Sequence, residues 1–276
     1  MSADIQWRCP NCQLPLNEHE KYWRCANGHT FDIAKEGYVN LLLSSQKRSK
    51  DPGDNKAMIN ARRTFLEKGH YNPLVDTVVN AMLKHLLDTT PERPRLLDLG
   101  CGEGFYLQQI SERLQHAEMS YQGIDISKSG IQKAAKRKLV AQFAVASTYN
   151  IPCLDNYNDI VLQIFAPSDE HEVWRALKPK GIWLRVQPGA NHLIEIKEMV
   201  YDAPALHAES KDTYALFDDI HQEKVSYQFS LTNEEERLAL LQMTPFYWSI
   251  SEEKKRTLVK RLSTVTADFN LTVLQK

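Results

Sequence analysis

Three of the five cysteines lie within the first 25 residues, and their spacing limits how the N-terminal segment can fold. Cys9 and Cys12 form a C-x2-C pair, and Cys25 is followed by His29, so the full pattern is C-x2-C-x12-C-x3-H. Three thiolates and one imidazole are a typical tetrahedral donor set for Zn²⁺. About thirty residues bury too little apolar surface to fold alone, whereas zinc supplies on the order of 10 kcal/mol. The expected ligands of a structural zinc ion are therefore Cys9, Cys12, Cys25 and His29.

The alternatives for this segment are weaker. An odd number of cysteines in a chain that begins without an export signal argues against a disulfide framework. His19 is the other histidine nearby, but it falls outside both ligand pairs. If the protein fills all four metal positions, no site is left for a reactive water, and catalytic zinc chemistry is not expected. Reduced cysteines that merely lie close together are the remaining alternative.

A basic segment follows the cysteine-rich region. Residues 1–75 hold 11 Lys and Arg against 8 Asp and Glu, although the 276-residue chain has a net charge of −1. Residues 46–71 include a polar, basic stretch broken by Pro52-Gly53, which predicts a linker or hinge between a zinc-binding domain at 1–45 and a larger domain at 72–276. A solvated linker and a nucleic-acid contact are both consistent with this composition. The candidate phosphate contacts are Lys47, Arg48, Lys50, Arg62 and Arg63.

Composition excludes several classes of protein. With 42% hydrophobic and 25% charged residues the chain can form a sizeable core, and it is neither fibrous nor mostly disordered. The near-neutral charge excludes a strong overall positive field, so any nucleic-acid binding must be local. No window approaches the roughly 20 apolar residues of a membrane span, and the N-terminus lacks a signal-peptide pattern. The expected location is cytoplasmic, with no membrane partner.

A strand, a glycine loop and a helix follow one another near residue 100. Residues 95–99 read as a short buried strand, glycines stand at 100, 102 and 104, and residues 105–114 have helical spacing. Glycines allow close backbone approach to a ligand, and the helix N-terminus offers free N–H groups. The spacing is not the G-x-G-x-x-G of dinucleotide sites. Asp98, two positions before the glycines, suits a ligand with a cationic amine, and this is the motif of class I S-adenosylmethionine methyltransferases.

The order of elements downstream agrees with that fold. Further strands are predicted around 121–126, 143–147, 159–165 and 181–186, and an antiparallel pair around 224–231 and 268–274. Asp125 ends the second strand, where an acidic side chain binds ribose hydroxyls. The prediction is an α/β fold with a Rossmann-like seven-stranded sheet behind a small zinc-binding domain. Some other doubly wound nucleotide-binding fold is the structural alternative.

Both halves together resemble one family. The zinc module, residues 34–42, 48–54, 61–63 and 69–71, the glycine loop and residues 240–246 closely resemble the RlmA family of 23S ribosomal RNA guanine-N1 methyltransferases, and the resemblance covers essentially the whole chain. It is nearer to the Gram-negative branch of that family than to the macrolide-resistance branch. The resemblance implies methylation of guanine N1 in a hairpin loop of 23S rRNA. It also implies S-adenosylmethionine and structural zinc as cofactors.

The resemblance also assigns site residues. It matches Cys9, Cys12, Cys25 and His29 to the zinc ligands of the family. Residues of the expected cofactor pocket, taken from the family and from the general fold, are Tyr71, Asp98, Gly100, Gly102, Glu103, Gly104, Asp125 and His192. One departure is the adenine-binding position after the third strand, where many class I enzymes have Asp and this chain has Ala146-Ser147-Thr148.

Transfer from an activated sulfonium to guanine N1 requires alignment and removal of the N1 proton. Cys153 precedes the fourth strand, so we interpret it as structural and not as a nucleophile. Asp54, His70 and His192 are candidate proton acceptors by residue type alone. Phe165 either stacks on an extruded guanine or covers the methionine end of the cofactor, and residues 246–248 either stack on RNA or belong to the core.

Two other functions stay open from the sequence. One is methylation of a small molecule, and the other is a non-catalytic RNA-binding zinc protein, which the intact glycine loop disfavours. The sequence does not determine the oligomeric state, although a homodimer would offer a broader basic cleft.

Overall fold

The computed structural model describes residues 6–46, 52–89, 93–137, 139–200 and 214–276. Lys47, Arg48 and Lys50, three of the predicted phosphate contacts, lie outside the described residues. Within the described ranges, no helix is both long and apolar enough to cross a membrane.

The N-terminal segment forms a small antiparallel sheet. Its strands are β1 (Leu16–Glu18), β2 (Tyr22–Cys25) and β3 (Thr30–Asp32), in the order β1-β2-β3. We call residues 7–33, which include these strands, the zinc ribbon. Three of its large apolar side chains, Trp7, Leu16 and Trp23, are buried.

A second, eight-stranded sheet organises the rest of the chain. Its strands are β4 (Val39–Asn40), β5 (Arg95–Leu99), β6 (Ser120–Asp125), β7 (Ala141–Val145), β8 (Asn158–Ile164), β9 (Leu177–Pro188), β10 (Asp218–Ser230) and β11 (Thr264–Gln275). The spatial order is β10-β11-β9-β8-β5-β6-β7-β4, with β11 antiparallel to both of its neighbours and β4 to β9 parallel. All seven strands predicted from the sequence are present. The eighth, β4, has only two residues, too few for an alternating pattern to reveal it.

Helices cover the sheet and frame its carboxyl edge. They are α1 (Lys56–Leu66), α2 (Asn72–Thr89), α3 (Phe105–Arg113), α4 (Lys128–Ala134), α5 (Glu170–Ala176), α6 (Ile194–Val200), α7 (Glu234–Gln242), α8 (Pro245–Ser249) and α9 (Glu252–Arg261). Side-chain caps fix several starts: Asn55 accepts hydrogen bonds from two backbone N–H groups of α1, and Ser127 accepts one from Gly130 of α4.

Neighbouring residues of the central strands point to opposite faces of the sheet and enter two different cores. Leu96 packs with the helices α1, α2 and α3, whereas Leu97 shares a core with Trp7 and Trp23 of the zinc ribbon. The ribbon is also hydrogen-bonded to the large domain, because the Arg8 N–H donates to the Pro152 carbonyl over 2.8 Å. The zinc ribbon therefore covers one face of the sheet, and the helices leave the carboxyl edge of the central strands as the place for a ligand.

Cys153 and the aromatic residues 246–248 differ in their burial. Cys153 is fully buried, and burial raises the pKa of its thiol to about 12, as suits a structural cysteine. Phe246 and Tyr247 pack partly against the core, whereas Trp248 is 46% exposed. Residues 246–248 are therefore only partly core.

Candidate functional site

The four predicted metal ligands lie together in the zinc ribbon. The His29 Nδ1 is 3.3 Å from the Cys25 Sγ and 3.7 Å from the Cys9 Sγ, and the Cys12 and Cys25 sulfurs are 3.6 Å apart. All four ligand atoms lie within 4.8 Å of one another. A tetrahedral zinc ion with ordinary bond lengths needs its S and N donors about 3.5 to 3.8 Å apart. The donor set is therefore that of a structural Zn²⁺ site, and small side-chain adjustments would bring all four donors to these separations.

The glycine loop links β5 to α3 at the carboxyl edge of the sheet. Gly100, Gly102 and Gly104 all have positive φ, at 72°, 56° and 82°. Gly100 also has no room for a side chain, since an added Cβ would come closer than 3.0 Å to the Cβ of Ala166. This loop passes directly under the segment that follows β8, so only glycine fits at position 100.

Asp98 lies beneath the loop, and one of its carboxylate oxygens is unsatisfied among the described residues. The residue is 2% exposed, and its Oδ2 has no hydrogen-bond partner among the described residues. Burial, and after it the charge of Asp125, raise the pKa of Asp98 from 3.8 to about 8. A buried carboxylate in this state is stabilised by a cation, because the opposite charge offsets the cost of desolvation. The orphaned oxygen therefore fits a ligand with an ammonium group.

Asp125 ends β6 beside the same loop. Its Oδ2 accepts the Gly102 N–H over 2.8 Å, and its Oδ1 accepts the Ser127 N–H over 2.7 Å. Burial raises the pKa of Asp125, while these two N–H groups act in the opposite direction. The carboxylate thus fixes the second glycine of the loop to the carboxyl end of β6.

Glu103 points into the protein. Its side chain is buried, and its Oε2 is paired with the Arg137 guanidinium, which also donates to the Glu103 carbonyl over 2.7 Å. Burial raises the pKa of Glu103, and Arg137 opposes that rise. Glu103 fixes the loop to Arg137 in the segment after α4. Because its side chain is used in this ion pair, a contact of Glu103 with a ligand at the glycine loop would come from its backbone.

Aromatic residues form the other wall. Tyr71 is buried, its hydroxyl has no partner among the described residues, and its ring packs edge-on to Phe65 and Phe269 at 5.2 and 5.0 Å. The His192 ring lies 4.8 Å from Phe269, and its Nδ1 accepts the backbone N–H of Asp268 over 3.3 Å. Tyr71 and His192 therefore both lie against Phe269, which β11 places beside Pro188 at the carboxyl end of β9.

Phe165 is the first residue after β8 and differs from the other rings of this wall. It has a φ of +57°, which is rare for a bulky side chain, and it is 43% exposed. Its ring lies 5.7 Å from His192 and 5.6 Å from Phe269. Strained residues of this kind cluster at functional sites. Phe165 therefore presents an aromatic face to solvent at the rim of the cleft.

The described basic residues of the 46–71 segment have different surroundings. Arg63 lies on the outer side of α1, paired with Glu67 at 2.8 Å. Arg62 is paired with Asp54 and lies against the glycine loop, where its Nη1 would be 3.8 Å from a Cβ at Gly102. Helical spacing alone did not distinguish these two arginines, because the difference depends on residues distant in sequence.

Two candidate proton acceptors also have partners. Asp54 is held by Arg62. The His70 ring stacks on Phe229 at 4.6 Å, and its Nε2 is 3.5 Å from a carboxylate oxygen of the buried Glu236. Phe229 and Phe269 were missed from the sequence as parts of this wall, since an alternating strand pattern does not show which of its aromatics reach the sheet edge.

Comparisons with known proteins agree with both halves of this description. Residues 7–50 match the family described as "RlmA, N-terminal", and residues 96–181 match a "Methyltransferase domain". A 23S rRNA (guanine(748)-N(1))-methyltransferase of Streptomyces fradiae is 36% identical over 68% of this chain and 65% of its own.

Two further relatives align over nearly their whole length. Proteins of Micromonospora griseorubida and Bacillus subtilis (strain 168) are each 31% identical, over 96% and 98% of this chain and 95% and 97% of theirs. Their names give 23S rRNA (guanine-N(1)-)-methyltransferase as a provisional assignment. With its zinc ribbon, its methyltransferase fold and these near full-length relatives, the chain belongs to the RlmA family of 23S rRNA (guanine-N1)-methyltransferases.

Proposed function

We propose that this protein transfers a methyl group from S-adenosylmethionine to N1 of a guanine in a hairpin loop of 23S rRNA. The observation that carries the proposal is the buried carboxylate of Asp98 beneath the glycine loop, whose Oδ2 has no hydrogen-bond partner in the described part of the chain. The methionine end of the donor carries an ammonium group, which is the cationic partner that this buried carboxylate needs. The acceptor is inferred from the relatives, two of which align with almost the whole chain.

The chain's own residues would hold the donor along the glycine loop. Gly100, Gly102 and Gly104 let the backbone approach it, and Asp125 takes the ribose hydroxyls with the lone pairs that its two N–H contacts leave available. Tyr71 and His192 close the methionine end, and the backbone of Glu103 continues the loop. When bound, S-adenosylmethionine supplies an activated methyl group, so no covalent nucleophile is needed.

The acceptor guanine would lie on the exposed face of Phe165. An extruded base is commonly stacked on an aromatic ring, and this ring is itself packed against the tilted rings of His192 and Phe269. Neutral His192 carries its proton on Nε2, because its Nδ1 accepts the Asp268 N–H. In this state the Nε2–H of His192 is a hydrogen-bond donor. We therefore favour His192 as an orienting donor and leave the removal of the N1 proton to another acceptor.

The N-terminal region would bind the RNA outside the catalytic cleft. The zinc ribbon, with a structural ion held by Cys9, Cys12, Cys25 and His29, is fixed to the sheet through the Arg8 to Pro152 hydrogen bond. Residues 46–71 supply basic side chains, of which Arg63 lies on the outer surface. Together they would hold a hairpin loop, whose unpaired base is free to enter the cleft. Because ribosomal RNA is the substrate, the proposed location is cytoplasmic.

A labelling experiment tests the proposal. Purified protein, S-adenosylmethionine with a labelled methyl group and unmethylated 23S rRNA are combined, and the modified nucleoside is identified after digestion. Label on guanine N1 is expected, and Asp98→Asn should abolish it. Label at another position of the RNA, or none while the donor still binds, contradicts the assignment. A homodimer stays a prediction, for which sedimentation with and without RNA is the measurement.

A further inference from the structure

Arg62 is turned toward the glycine loop by the fold around it. It lies on α1, and the side chains of Ile59, Phe65 and Leu66 on this helix are buried in the core. The guanidinium pairs with Asp54, just before the helix, and reaches to 3.8 Å from where a Cβ at Gly102 would stand. A residue that the sequence suggests for RNA is thus placed at the cofactor cleft.

The segment before α1 is fixed over the loop after β6. The Ser127 hydroxyl donates to the Asp54 carbonyl over 2.8 Å, and Gly53 is so close that an added Cβ would be 3.0 Å from atoms of Ile126 and Ser127. The Arg62 and Asp54 pair therefore has a defined position above the end of β6. This position is beside Asp125, the expected ribose site, where the positive charge of Arg62 opposes the rise in the pKa of that carboxyl.

Charge decides what Arg62 can bind there. The methionine end of S-adenosylmethionine carries an ammonium and a carboxylate, and Asp98 provides a partner for the ammonium only. Among the described residues named above as lining the cleft, Arg62 alone has a permanent positive charge. Arg137, the other guanidinium near the loop, is engaged by Glu103 and donates to the Gln108 side chain over 2.5 Å.

The Tyr71 hydroxyl lies in the same electrostatic environment. Burial raises the pKa of Tyr71 well above its usual value, and the positive charge of Arg62 opposes this rise. The hydroxyl is buried and has no partner in the described part of the chain, so it has a hydrogen bond to donate. A carboxylate between Arg62 and Tyr71 would satisfy both groups.

We propose that Arg62 binds the carboxylate of the methionine moiety of S-adenosylmethionine, with the Tyr71 hydroxyl as a second donor and Asp54 holding the guanidinium in position. The inference rests on the proposed donor binding and does not depend on which substrate is methylated. It makes Arg62 a cofactor-binding residue and not a phosphate contact.

The test compares two ligands that differ by this one group. Calorimetry measures the affinities of S-adenosylmethionine and of its decarboxylated analogue, without RNA. A charge-assisted hydrogen bond predicts that the wild-type protein prefers the carboxylated ligand by on the order of tenfold to a hundredfold. Arg62→Ala should lose this preference, and Arg62→Lys should keep part of it. The ratio of the two affinities within each variant cancels effects of the substitution that are common to both ligands, and Arg62→Lys keeps the positive charge while removing the guanidinium.

Arg63→Ala is the matched control, because its guanidinium lies one residue along the same helix and pairs with Glu67. It should leave both donor affinities unchanged. Equal affinity of the wild-type protein for the two ligands overturns the inference, as does a preference that survives in Arg62→Ala. Weaker RNA binding by Arg62→Ala with the preference intact would return Arg62 to the role of a phosphate contact.

The outcome separates this inference from the proposed function. A protein that shows the preference but labels no guanine supports the role of Arg62 and contradicts the proposed acceptor. Normal labelling of guanine N1 without any preference contradicts only the role of Arg62. Thermal melting of each variant verifies folding, and Arg62→Lys retains the charge next to Asp54 if Arg62→Ala is unstable.

Discussion

Gly100→Ala is expected to damage the cofactor cleft through two separable effects. The first is backbone strain, because a φ of +72° costs an L-residue about 1 to 2 kcal/mol. The second is overlap, since the new Cβ would lie closer than 3.0 Å to the Cβ of Ala166, and overpacking of this kind costs about 1 to 3 kcal/mol. The free energy of unfolding should therefore fall by about 2 to 5 kcal/mol.

Two comparison variants separate these terms. Gly37 has a φ of +92° and nothing within 4 Å of an added Cβ, so Gly37→Ala should show only the strain of about 1 to 2 kcal/mol. Ala166→Gly removes the atom that the new side chain meets, so the double variant Gly100→Ala with Ala166→Gly should recover the overlap term. Non-additivity of the two substitutions is the expected sign of direct contact.

Urea denaturation followed by circular dichroism measures the stability of each variant, and calorimetry measures donor binding. Gly100→Ala should also weaken S-adenosylmethionine binding, because the loop can relieve the overlap only by moving away from the segment after β8. The close approach of the glycine loop to the segment after β8 is contradicted by either of two results. One is that Gly100→Ala lowers the free energy of unfolding no more than Gly37→Ala does. The other is that adding Ala166→Gly to Gly100→Ala restores none of the lost stability.

The remaining predictions concern the donor, the metal and the acceptor. The Asp98 carboxyl of the donor-free protein has a pKa of about 8, and the ammonium of the donor needs this carboxyl charged. The affinity for S-adenosylmethionine, measured by calorimetry, should therefore rise about tenfold per pH unit up to pH 8 and level off above it. The affinity of Asp98→Asn should not change with pH, and a flat profile of the wild-type protein would refute the reasoning. Without donor, the raised pKa means that the protonated Asp98 stabilises the folded state fully below about pH 4, and that this contribution is lost as the pH rises to about 8. Between pH 4 and pH 8 the melting temperature of the wild-type protein should therefore fall more steeply than that of Asp98→Asn. Cys25→Ser should unfold the zinc ribbon while donor binding stays measurable. Because Trp7 and Trp23 share a core with Leu97, the substitution should also lower the urea midpoint of the large domain. An unchanged midpoint would contradict the shared core. Phe165→Ala should slow RNA methylation by about tenfold or more with unchanged donor affinity, and Phe165→Trp should retain activity; equal rates for all three proteins would exclude stacking.

The parts of the site that depend on local spacing could be predicted from the sequence. The position of Asp98 before three alternating glycines is enough to predict a strand, a loop and a helix that hold a cationic ligand. The C-x2-C and C-x3-H pairs work in the same way, because each pair lies within one tight turn. The seven principal strands are long enough for their hydrophobic patterns to be recognised.

Other parts depend on contacts between distant segments. Arg62 and Arg63 are adjacent on one helix, and only the folding of Asp54 and Gly102 around Arg62 gives them different partners. The two residues of β4 pair with β7, which lies about a hundred positions later in the sequence, and no local sequence pattern predicts this short strand. The packing of the zinc ribbon on the sheet likewise joins Trp7 to Cys153, far apart in the chain.

The most direct test of the central claim is the methylation state of guanine N1 in the cell. A methyl group at N1 blocks Watson–Crick pairing, so it stops reverse transcriptase on 23S rRNA. One such stop, at a guanine in a hairpin loop, should be present in the parent strain, vanish when the gene for this protein is deleted, and return with the wild-type gene but not with Asp98→Asn. An identical pattern of stops in the parent and deletion strains would contradict the account.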